Sequence, residues 1–177
     1  MAKALFKSLG VFVLLLLLPH VAAEQAQVYL ELSSYKVVMQ TDDEGRRVEI
    51  LKPALNVAPG DVIEWRLRAV NKSGRELENV ALVIPIPPQT YYLDGSASPL
   101  LLERDDSKLT IRPQFSFDGG KTYGFPPLFK EVKEVINGEE VVKKVPVAPE
   151  EYTHVRWVLE NMLPEESVEV FLRTVVR

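Results

Sequence analysis

The 177-residue chain has no cysteine, so no disulfide framework, thiolate nucleophile or thiolate metal site is open to it. The fold must hold by burial alone. Histidine occurs only at His20 and His154. This excludes a histidine-based metal cluster, and His154 has neither a cysteine to activate nor a Gly-x-Ser-x-Gly elbow nearby in sequence. Nothing in the chain reads as a catalytic constellation. Asn and Gln are sparse beside abundant Glu, Arg and Pro, a balance that suits a thermophilic source. Long apolar runs are missing except for Val11 to Leu18, far short of the ~20 residues that a spanning helix needs.

That one run has a different signature. Lys3 and Lys7 precede it, and Pro19, His20 and the small residues Val21-Ala22-Ala23 follow. A positive region, a short apolar region and a small-residue cleavage site make a secretory signal peptide over residues 1–23. The expected cut is after Ala23, with Ala26 as the alternative, and no cysteine at the junction offers a lipoprotein anchor. Residues 24–177 then form a single exported domain without a retained membrane span, in a periplasm or at the cell surface. The leader holds two lysines and no acidic residue, which leaves 19 basic against 25 acidic side chains. A net charge of about −6 argues against a nucleic-acid partner, which needs a basic face to meet phosphates.

What is present is punctuated alternation. From Val57 to Pro87 the chain reads Pro59-Gly60-Asp61 as a turn, then an alternating strand, then Asn71-Lys72-Ser73-Gly74, then a second strand ending Ile84-Pro85-Ile86-Pro87. In the first strand Ile63, Trp65, Leu67 and Ala69 point to a core, and Glu64, Arg66 and Arg68 point to water. Similar runs are Val28–Leu32, Tyr35–Gln40, Val48–Leu51, Lys108–Ile111, Tyr152–Leu159 and the closing Val168-x-Val170-x-Leu172-x-Thr174-x-Val176. Many short strands at regular turn spacing predict an all-β antiparallel sandwich. Trp157 is expected in its core, opposite Trp65.

The run Pro59-Gly60-Asp61-Val62-Ile63-Glu64-Trp65, with Asn71-x-x-Gly74, Leu77-x-Asn79-Val80 and Ile86-Pro87, resembles the conserved-repeat family of prokaryotic exported and surface proteins, domain of unknown function 11. Further matches are Phe115 to Tyr123, Tyr152 to Trp157 and Leu163-Pro164. The resemblance covers most of residues 24–177. It implies an immunoglobulin-like β-sandwich of seven to ten strands in an envelope protein, and it implies no reaction. A single copy stands here where many relatives have tandem arrays, which argues against a long surface stalk.

Several stretches invite a functional reading. Thr41-Asp42-Asp43-Glu44-Gly45 and Asp105-Asp106 could offer oxygen ligands to calcium, but neither has the longer alternating pattern of an EF-hand loop, and a solvated turn is the favoured account. Ser116-x-Asp118-x-Gly120-x-Thr122-Tyr123 resembles an Asp-box, in which the aspartate fixes a turn, so Asp118 and Gly120 are read as structural. Tyr91 and Tyr92 face opposite sides of a strand, so at most one is core and the other is a candidate contact. The strongest hairpin signal is Asn137-Gly138, between Glu131–Ile136 and Glu139–Val145, within a hairpin over 129–147. Its alternating charges fit either a protected edge, the favoured account, or an arm that reaches a partner.

The sequence therefore predicts a non-catalytic exported module with no cofactor and no metal, acting through contacts with envelope or surface proteins or in a homo- or hetero-assembly. Candidate contacts are Tyr91, Tyr92, Asn137 and Gly138; Pro59, Gly60, Asp61, Asn71, Gly74, Asp118, Gly120 and Trp157 are structural. The alternative is a carbohydrate- or small-ligand-binding sandwich, which requires an exposed aromatic platform beside Asp or Asn.

Overall fold

In the computed structural model, residues 28–104, 107–136 and 139–177 are described. The expected signal peptide, the Asp105-Asp106 pair and the expected turn at Asn137-Gly138 lie outside them. The order of elements is β1 (Val28–Thr41), β2 (Arg47–Pro53), β3 (Val62–Asn71), β4 (Leu77–Pro85), β5 (Thr90–Tyr92), β6 (Leu100–Arg104), β7 (Ser107–Ile111), β8 (Gln114–Ser116), β9 (Phe129–Ile136), β10 (Glu139–Pro146), β11 (His154–Met162) and β12 (Ser167–Val176). Among the described residues the one helical piece is a single 3-10 turn at Pro149–Glu151.

Eight strands make an antiparallel sandwich. One sheet has the order β2-β1-β3-β12-β5 and the other β4-β11-β8, while β6–β7 and β9–β10 are separate two-stranded hairpins. Period-two patterning decides what lies between the sheets. Val155, Trp157 and Leu159 on β11, Leu82 and Ile84 on β4, and Val168, Val170 and Leu172 on β12 are buried in one core, joined by Leu67 and Ala69 of β3. Leu100 and Leu102 of β6 close it from the side. Each large aliphatic side chain so buried contributes about 1.5–3 kcal/mol.

The smaller sheet does not reach across the larger one. On β1, Leu30 and Leu32 pair with Ala69 and Leu67 and so share the inner face, yet they remain 56% and 49% exposed. The outer face holds a departure from the alternation. Glu64 was expected in water with Arg66 and Arg68, but it is 1% exposed. Its carboxylate accepts from Arg66 Nε at 2.7 Å and from Arg173 Nε at 2.9 Å, and Arg173 Nη2 also reaches Glu49 at 2.9 Å. Glu49 sits on β2, which two strands, β1 and β3, separate from β12. The sheet therefore curls, bringing β2 over its own outer face and closing Glu64 off from solvent.

The exposed flank of β12 is also closed. Beyond β5, Ser96 Oγ accepts from Arg173 N at 2.9 Å and Ser98 Oγ from Phe171 N at 2.9 Å, while the Leu93 and Ser98 amides donate to the carbonyls of Arg173 and Phe171. Serine hydroxyls stand in for main-chain carbonyls and satisfy an edge that would otherwise be open to pairing.

Candidate functional site

The turn motifs lie at the ends of the sandwich and tie its strands together. At one end Gly60 adopts φ +88°, a region that glycine enters freely, and its amide donates to Val176 O at 2.9 Å. Asp61 accepts from Ala58 N at 2.7 Å and from Lys36 Nζ at 2.6 Å, and the Lys36 ammonium followed by the Ala58 amide holds its pKa below the ordinary value. The turn at Pro59 thus joins β1, β3 and β12.

At the other end two of the crossovers between the sheets, Lys72–Glu76 and Leu163–Glu166, meet at Asn71. This side chain is fully buried. Its Nδ2 donates to Arg75 O at 2.7 Å, Met162 O at 2.9 Å and Leu163 O at 3.0 Å, while Oδ1 accepts from the amide and hydroxyl of Ser73. Gly74 closes the loop at φ +71°. Beside them Arg104 of β6 grips Glu166 with two bonds of 2.8 and 2.7 Å and Asn161 Oδ1 at 2.6 Å. Burial pushes the Glu166 pKa up, but the Arg104 guanidinium and the Leu163 amide outweigh it and bring it below the ordinary value.

The Asp118 turn is built as its residue pattern implies. Its carboxylate takes the Thr122 hydroxyl, the Thr122 and Lys121 amides at 3.0 Å and the Ser116 hydroxyl at 2.7 Å. The Thr122 hydroxyl and amide lead in holding its pKa far below the carboxylate range. Gly120 has φ +83°, and a Cβ there would sit 3.0 Å from the Tyr123 hydroxyl. Asp42 is satisfied in the same way, by the amides of Arg46 and Glu44 and by Arg46 Nε. Among the described residues, no three acidic or histidine side chains converge on a point fit for a metal ion.

Of the two tyrosines, Tyr92 is the core member, its ring 5.2 Å from Phe115 and 5.9 Å from Tyr152. Its hydroxyl accepts from Ala97 N at 3.1 Å, and burial raises its pKa. Tyr91 is half-buried with the Arg177 guanidinium 5.5 Å from its ring centre. Trp157 is fully buried and donates from Nε1 to Ser98 O at 2.8 Å. Trp65 packs on the core from its rim, with Nε1 donating to Thr174 Oγ1 at 2.9 Å.

Two grooves are large enough for a ligand. One of about 590 Å³ lies among Leu93, Leu101, Phe171 and Arg173, and the other, of about 480 Å³, among Pro87, Tyr152, His154 and Arg177. Their polar groups are largely spent internally. Ser96, Ser98 and Arg173 serve β12 and Glu64, and Thr153 Oγ1 takes the Gly119 amide and lies 3.1 Å from His154 Nδ1.

The β9–β10 hairpin stands apart. Its register runs from Phe129 opposite Pro146 to Ile136 opposite Glu139. Leu128 and Val147 anchor its base, with Val147 N donating to Leu128 O at 2.9 Å. Lys133 pairs with Glu140 and Lys143 with Glu134, both at 2.6 Å, and Lys130 with Glu151. Above the base its side chains face water almost throughout, with Val135 75% and Phe129 54% exposed.

Sequence reasoning located the turns and the hairpin but missed the hub role of Asn71, the burial of Glu64 and the hydroxyl caps on β12. No protein-family model matches the chain, and neither does a curated protein or a solved structure.

Proposed function

We propose that this chain is a non-catalytic, exported interaction module that works by protein contact in the cell envelope, in the periplasm or at the cell surface. The observation that carries this reading is the β9–β10 hairpin. It forms a two-stranded sheet of its own apart from the sandwich, and it exposes Phe129, Val135 and Val142 among paired charges. A segment of eight-residue strands whose outer edges pair with nothing among the described residues suits recognition by strand addition. The lysine-flanked apolar run before Ala23 supports export, and the resemblance to the conserved-repeat family supports an envelope role.

A carbohydrate-binding sandwich is the less favoured reading, because an open aromatic face is what it needs. The rings of Phe171, Phe125, Tyr123 and Tyr91 lie under Arg66, Arg112, Arg156 and Arg177 at 5.5, 5.1, 4.0 and 5.5 Å. The test is cross-linking of intact cells that carry the tagged protein, followed by purification from the envelope fraction. Capture of one or two defined proteins, lost when residues 130–145 are replaced by a short loop, supports the module. Recovery of the protein free of any partner, with glycan binding in titrations, overturns it.

A further inference from the structure

We propose that the hairpin recognises a second copy of this chain, through antiparallel pairing of β9 with its own counterpart about a two-fold axis at Val132. This rests on the hairpin being the contact element and names what it contacts. Among the described residues β9 pairs only with β10, so its other edge is open. In a symmetric antiparallel pair the side chains of directly opposed residues share a face, and one residue must meet itself on the axis.

With Val132 on the axis, every opposed pair is complementary. Val132 meets Val132, Glu131 meets Lys133, Lys130 meets Glu134 and Phe129 meets Val135, each twice apart from the axial pair. Phe129 and Val135, the two most exposed apolar side chains described on β9, each gain an apolar neighbour. Glu131, which forms no ion pair among the described residues, gains a lysine. The neighbouring symmetric registers fail, because they set Glu131 against Glu131 or Lys133 against Lys133. The open edge of β10 has no equal: centring on Val141 sets Glu140 against Val142, and centring on Val142 sets Lys143 against Val141.

Edge lysines normally prevent strand addition, since a partner strand rarely offers a carboxylate at each of them. Here they exclude foreign edges and wrong registers while admitting one arrangement. The product is a four-stranded sheet shared by two subunits. The antiparallel alignment brings each hairpin tip beside the base of its partner.

Residues 24–177 contain the whole described core, and sedimentation of that chain across a concentration series reads the association. The wild type should dimerise. Glu131→Lys and Lys133→Glu each place like charges opposite one another twice and should weaken self-association roughly tenfold or more. An equimolar mixture of the two variants restores Lys opposite Glu and Lys opposite Glu, so it should dimerise as tightly as the wild type. Melting temperatures that match the wild type at concentrations low enough for every form to be monomeric exclude misfolding as the cause of any loss. A monomeric wild type overturns the proposal, as does a dimer indifferent to both substitutions or a mixture that stays monomeric. If the wild type is monomeric while hairpin deletion still abolishes capture of a different envelope protein, the interaction-module reading survives and self-recognition falls.

Discussion

The side-chain amide of Asn71 donates to the main-chain carbonyl of Met162 at 2.9 Å, and through this bond two crossovers far apart in sequence share one buried hub. The same side chain serves Arg75, Leu163 and Ser73. Polar groups sealed from water cost most when a partner is removed.

Asn71→Ala should therefore destabilise the domain by about 2–4 kcal/mol, because it strands several buried carbonyls and amides at once. Asn71→Asp keeps the shape but sets a carboxylate against three carbonyls, and it should be at least as damaging. Urea unfolding with an unchanged m-value is the measurement. A loss below ~1 kcal/mol would remove the hub from the account.

Glu64 is buried, but its partners Arg66 and Arg173 keep some contact with solvent. Removing the carboxylate leaves guanidinium groups that water can partly recover, so Glu64→Ala should cost about 2–3 kcal/mol rather than the full penalty of a sealed pair. A double-mutant cycle of Glu64 with Arg173 should give a coupling of about 1 kcal/mol or more that changes little with salt, since buried pairs are weakly screened. Additive losses would contradict the geometry.

Acid should weaken the fold from one direction. Asp61, Asp118, Glu151 and Glu166 all have folded pKa values below their ordinary ones, for the reasons given above and, at Glu151, through Lys130 and the Ala148 amide. A depressed carboxylate contributes stability that is complete above its unfolded pKa of roughly 4 and is lost as pH falls through the folded value. Melting temperature should be level from neutral pH down to about 5 and fall below about 4. In Asp118→Asn the decline should be shallower, from a lower starting point, and an unchanged acid limb would contradict the role of this turn.

Replacing Lys130 to Val145 with a short Gly-Ser loop should change stability by less than ~1 kcal/mol, since the core ends at Leu128 and Val147. A large loss would mean that the hairpin stabilises the domain and is not a detachable arm. Calorimetry on the two chains decides it.

Much of this architecture is legible in the residues. Alternation assigned the faces of β3, β11 and β12, and the turn residues placed Gly60, Gly74 and the Asp118 loop where they lie. The failures have a common cause. A period of two says which side a residue faces, but not what arrives from elsewhere to cover it. Glu64 is buried by Glu49 and the curl of β2, and Leu30 and Leu32 are left open because the opposite sheet has only three strands. Both depend on partners distant in sequence. The hub at Asn71 was visible as punctuation, while its acceptors beside Leu163 were not.

The placement of β3 between β1 and β12 has a mechanical consequence. β1 begins opposite Asn71, whereas β12 ends beside the Gly60 turn, with nine residue pairs on either flank of β3. Tension applied at Val28 and Val176 pulls the outer strands along their own axes in opposite directions. The ladders are then loaded in shear, so many hydrogen bonds must give way together and none can be peeled off singly. A domain threaded in this way resists stretching along the line that joins its first and last strands.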